Sequence, residues 1–140
     1  MTSILAGLFM IAFLVVIHEA GHFVVARIFG VGAPVFSIGF GPRVFGVRLW
    51  GTDFRVSAVP FGGYVMLAGA DPFGEEDVSQ AVPEAESFMK RPVWQRLLIM
   101  AAGPGVNLAL PFVLFTILLM LGRPDWGTTI GAVLPGSVAA

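Results

Sequence analysis

The sequence predicts a membrane α-helical fold with a membrane-associated β-hairpin and at least two transmembrane helices. Three observations predict it. Of the 140 residues, 56% are hydrophobic and only 12% are charged, whereas soluble domains carry about 25% charged residues. Leu97 to Gly122 contains no charged residue at all. A second apolar run, at the N-terminus, passes through a cluster of ionisable side chains instead of ending there. This balance excludes an intrinsically disordered chain, an ordinary soluble globule and a nucleic-acid-binding module. The formal net charge of −1 supplies no field to steer a polyanion, so no nucleic-acid partner is expected. With no cysteine, disulfides and thiolate metal sites are excluded too.

The first element is a transmembrane helix over residues 4–29. Ile4 to Ile17 is uncharged, but as a helix it reaches only about 21 Å, short of a hydrocarbon core of about 30 Å. A secretory signal peptide does not account for it. Met1-Thr2-Ser3 supplies no positive region, and no small-residue cleavage site follows. The run enters His18-Glu19-Ala20-Gly21-His22, and apolar character resumes with Phe23, Val24 and Val25. One helix therefore carries three ionisable side chains at membrane depth, where such groups are costly and normally face a cavity or a partner.

Residues 33–69 form the second element, a β-rich segment full of glycine, proline and aromatic residues. Val47–Trp50 and Asp53–Val56 read as hairpin arms around a two-residue turn at Gly51-Thr52. That register sets Leu49 opposite Phe54, Val47 opposite Val56 and Trp50 opposite Asp53. It also sets Arg48 opposite Arg55, a like-charge pair that counts against it. Residues 70–92 form a cytoplasmic loop, acidic at first and ending in Lys90-Arg91-Pro92-Val93-Trp94, a basic and aromatic interfacial anchor. A second transmembrane helix is expected over 93–122, with Gly103-Pro104-Gly105 and Pro111 as breaks that a membrane helix tolerates beside protein or cavity water. The plain alternative for this segment is a kinked anchor.

Orientation follows from the cations. Seven of the eight Lys and Arg residues lie between the two spans and none precedes the first. By the positive-inside rule, residues 30–92 are cytoplasmic and the N-terminus is outside.

The chemistry is concentrated at His18, Glu19 and His22. Positions i and i+4 share a helix face, so both imidazoles can reach one ion. Neutral imidazole suits zinc, which acidifies a bound water to a pKa of about 7. Glu19, beside the first ligand, can take a proton from that water and pass it to a leaving amine. The bland alternative is a pair of interfacial histidines with a snorkelling glutamate. His18 lies about 21 Å along the helix from Ile4, which places the candidate metal a quarter to a third of the way below the cytoplasmic surface. Hydrolysis there needs water, so Gly103 and Asn107 in the second span become candidates to line a wet pocket and bind substrate backbone. Gly21 leaves room for another backbone or a substrate to approach.

An HExGH helix is followed in order by Gly39-Phe40-Gly41-Pro42, Pro60-Phe61-Gly62-Gly63-Tyr64-Val65, Lys90-Arg91-Pro92-Val93-Trp94-Gln95-Arg96 and Ala101-Ala102-Gly103-Pro104-Gly105-Val106-Asn107. The ordered set resembles the site-2 protease family of intramembrane zinc metalloproteases, most closely the bacterial regulator of sigma-E protease type. The resemblance implies that His18 and His22 bind Zn2+ and that Glu19 is catalytic. It further implies that the hairpin presents an extended substrate, with Asn107 contacting substrate near the active site. The implied reaction is regulated intramembrane proteolysis of single-pass, membrane-anchored proteins of the anti-sigma-factor kind, in the bacterial inner membrane. One departure stands out. The family's third zinc ligand is an Asp in an Asp-Gly motif of a later span, and no such motif occurs here. Asp125 falls on the outer side, far from His18. Residues 125–140 resemble the start of a PDZ-like domain, so the chain is expected to be an N-terminal part whose third ligand comes from a missing C-terminal part. Such a part is expected to be inactive alone. The alternatives are a non-catalytic membrane scaffold or inactive homologue, which has no need of Glu19, and a metal-permeating protein, which lacks further intramembrane carboxylates.

Overall fold

A computed structural model describes residues 2–70 and 82–122 of the chain. Its elements are α1 (Thr2–Ile28), β1 (Val35–Leu49), β2 (Thr52–Met66), two single 3₁₀ turns (Glu84–Glu86 and Phe88–Lys90) and α2 (Val93–Met120). The expected PDZ-like start at 125–140 and the acidic stretch 71–81 lie outside the described residues.

Both α1 and α2 are long and apolar enough to cross a membrane. Each buries two residues, Gly21 and Ala26 in α1, Ile99 and Gly103 in α2. Much of the remaining apolar surface faces outward; Phe9, Leu108 and Met120 are 73%, 80% and 82% exposed. Apolar surface this continuous is stable only where lipid or another protein covers it. The helices meet through small residues. A Cβ on Gly21 would stand 2.7 Å from the Ala102 carbonyl oxygen, so the glycine is what permits the close approach.

α2 runs uninterrupted through Gly103-Pro104-Gly105 and Pro111, so the expected breaks are not breaks. Each proline deletes one backbone N–H and leaves the carbonyl four residues earlier without its amide. The helix loses the bonds to Met100 and Asn107 and continues through both prolines.

The hairpin turn sits one residue earlier than the spacing suggests. Trp50 and Gly51 form it, with φ of 51° and 79°, both in the left-handed region that the tight hairpin turn requires. The pairs are Leu49 with Thr52, Arg48 with Asp53 and Val47 with Phe54. This correction has an electrostatic reason. The one-residue shift replaces the Arg48–Arg55 apposition with Arg48 opposite Asp53, and Arg43 also pairs with Asp53 at 3.2 Å. Thr52 is not a turn residue but a buried one, its hydroxyl donating to the Ala33 carbonyl at 2.7 Å.

The strands bend near Phe40–Phe45 and Ser57–Val59, and the register shifts there. Residues 35–38 consequently lie opposite both 53–56 and 63–66. Enclosed on two edges, Val35, Phe36 and Ser37 are buried, whereas the 40–50 arm is exposed. Phe23 of α1 clamps this sheet, its ring centroid 5.7 Å from Phe36 and 5.4 Å from Phe54. Beside it a core of Ala26, Val31, Ala33, Leu67 and Ile99 joins both helices to the chain leaving β2. The basic residues at this end tie backbone down. Arg27 donates to the Trp50 carbonyl at 2.8 Å and Arg91 to the Gly30 carbonyl at 2.5 Å. Phe29 and Trp94 stack edge to face at 5.4 Å.

Candidate active site

The helical repeat of α1 sets His18 and His22 on one face, their ring centroids 4.9 Å apart and their planes at 75°. Glu19, one residue on, turns from that face toward β2. Its Cγ lies 3.7 Å from where a Cβ on Gly63 would stand, and the Val65 backbone amide hydrogen-bonds its carboxylate. Residues 63–66 have a strand on one edge, 35–38, and their other edge faces α1.

The imidazoles face α2. His22 Nδ1 lies 2.7 Å from the Ile99 carbonyl oxygen. A carbonyl oxygen only accepts, so Nδ1 carries a proton, and in the neutral ring Nε2 then keeps its lone pair. One turn along α2, Gly103 has no side chain at the point where both Nε2 atoms converge. A Cβ there would stand 2.7 Å from His18 Nε2 and would collide with His22 Nε2. A further turn along, Asn107 Nδ2 lies 3.4 Å from His18 Nδ1.

Two imidazole nitrogens aimed into a space kept clear by a glycine fit the donor preference of zinc, which binds imidazole in its neutral form. Among the described residues no group of three His, Cys, Asp or Glu side chains gathers around one point, so the pair accounts for two donors. Toward the N-terminal end of α1, a cleft of about 330 Å³ opens between Leu8, Phe9 and Ala12 of α1 and Pro60, Phe61 and Gly62 of β2.

His18, Glu19, His22, Gly103 and Asn107 thus lie together, although α1 and α2 are far apart in the chain. Sequence reasoning missed the Ile99 carbonyl and the 63–66 edge. Backbone groups carry no residue-type signal. The one available hint was spacing, since 99, 103 and 107 fall on one helix stripe.

The sequence is similar to those of known proteins. The chain is 38% identical to a provisionally named zinc metalloprotease of Brucella suis, over 99% of this chain and 38% of that protein. A similarly named protein of Ralstonia nicotianae is 39% identical over 100% of this chain and 31% of its own length. One of Thermotoga maritima is 39% identical over 89% of this chain and 24% of its own. The chain therefore spans about a third of the length of the curated relatives it matches. The profile of peptidase family M50 matches residues 6–138, almost the whole sequence, and the chain belongs to that family.

Proposed function

We propose that this chain is the part of an intramembrane zinc metalloendopeptidase that supplies two zinc ligands, His18 and His22, and the general acid–base, Glu19. The observation that carries the reading is the convergence of the two Nε2 atoms on the space left by Gly103. Zinc, when bound, supplies Lewis acidity toward a carbonyl oxygen and acidifies water. Glu19 takes the proton of the attacking water and delivers it to the leaving amine. A third donor comes from a part of the protein outside this chain.

The substrate is a single-pass membrane protein of the anti-sigma-factor kind, cleaved within or beside its transmembrane segment. An unwound segment is held by the hairpin as an added strand, where backbone pairing requires no particular side chain. Its apolar side chains lie toward the Leu8–Phe61 cleft. The enzyme resides in a bacterial inner membrane, with the N-terminus of α1 outside and residues 30–92 on the cytoplasmic side. The cluster of Arg27, Lys90, Arg91 and Arg96 at one end of the helix pair supports that orientation.

The test is Glu19→Gln in the full-length protein. Cleavage is expected to fall by roughly 10²–10⁴ while stoichiometric zinc persists. Loss of zinc together with activity would instead make Glu19 a ligand or a structural residue.

A further inference from the structure

Leu97 to Gly122 has only two polar side chains, Asn107 and Thr116. Thr116 is satisfied within its own helix, donating to the Phe112 carbonyl at 2.8 Å. Asn107 instead turns toward α1 and reaches His18. A carboxamide at membrane depth is costly unless it has partners, and the pairing here is incomplete. Nδ2 stands at 3.4 Å from His18 Nδ1, at the outer limit of a hydrogen bond, and Oδ1 is buried with no partner among the described residues. The oxygen and nitrogen of an amide are nearly identical in shape, so their assignment follows from the hydrogen-bond network. Turning the amide over brings Oδ1 to His18 Nδ1–H and moves the NH2 group to the buried position the oxygen held, and this orientation matches the ring tautomer that leaves Nε2 free to bind a metal.

Resting on the metalloprotease reading above, we propose that Asn107 is a positioning residue for the metal centre. Its side-chain oxygen accepts from His18 Nδ1–H and so presents Nε2 unprotonated. The Ile99 carbonyl does the same for His22. One stripe of α2, at positions 99, 103 and 107, thereby sets the tautomer of both imidazoles and leaves open the space they face. Partners of this kind orient metal-binding histidines and raise their basicity, and their loss typically costs 10- to 100-fold in metal affinity.

The experiment uses the full-length protein in detergent and compares Asn107→Leu with Asn107→Asp. Asn107→Leu is expected to weaken zinc retention against a chelator by about 10- to 100-fold and to alter the absorption spectrum of the cobalt-substituted protein. Asn107→Asp keeps an acceptor oxygen and is expected to hold zinc about as well as the wild type. A wild-type affinity and spectrum in Asn107→Leu would overturn the inference, as would equal losses in the two variants. Nitrogen-15 shifts of the wild-type histidine rings give a readout that needs no variant. The proton of His18 is expected on Nδ1, and finding it on Nε2 rejects the role. If the wild-type protein binds no zinc, the metalloprotease reading fails, and this inference fails with it.

Discussion

α1 and α2 are nearly equal in length and in apolar character, yet they bring opposite things to the candidate site. α1 brings side chains that announce themselves: two imidazoles and a carboxylate. α2 brings a backbone carbonyl, a missing side chain and one carboxamide. The contrast teaches that residue type nominates a site, whereas convergence depends on the quieter helix. Without Gly103 the two Nε2 atoms would face a methyl group.

Substitutions on each helix can break this comparison. The largest effect is expected from a matched pair in the full-length protein. His22→Ala removes a donor outright, and Gly103→Leu alters no ionisable group but fills the space before both rings. Both are expected to abolish zinc binding and cleavage, read by metal analysis and a peptide-bond cleavage assay. Zinc retained in Gly103→Leu would show that α2 is only an anchor. A smaller effect is expected at the helix contact. Gly21→Val places a Cβ 2.7 Å from the Ala102 carbonyl oxygen, and overpacking of this kind costs about 1–3 kcal/mol. The unfolding midpoint in detergent should fall accordingly. The smallest effect is expected two residues from the critical glycine. A Cβ on Gly105 meets nothing within 4 Å, so Gly105→Ala should leave zinc and cleavage unchanged. A loss like that of Gly103→Leu would mean that the segment acts through backbone freedom rather than through the space at 103.

The same contrast explains what was legible in the sequence. Two apolar helices, a hairpin between them and the His18–Glu19–His22 cluster could all be read, because periodicity and misplaced charge are local signals. Gly103 and Asn107 stood out as oddities in a span. The Ile99 carbonyl could not be read, since every residue has one. The hairpin register was missed by one residue because Gly51-Thr52 has turn chemistry. What decides it lies elsewhere, in the burial of Thr52 against Ala33 and the pairing of Asp53 with Arg43. Alternation along a strand fixes which face a side chain takes and leaves its partners undetermined. The double pairing of 35–38 was therefore invisible.

The Ile99 and Asn107 contacts also carry a consequence for the order of assembly. His22 and Ile99 are 77 residues apart in the chain, and His18 and Asn107 are 89 apart. The Trp50–Gly51 turn joins strands that are adjacent in sequence. Local contacts form first, because long loops lose more entropy on closing. The hairpin is thus expected to form ahead of the contacts between the two helices. The histidine pair acquires its partners last, when the second helix arrives. Until then the His18–His22 pair of α1 lacks the carbonyl, the open space and the carboxamide that α2 sets against it.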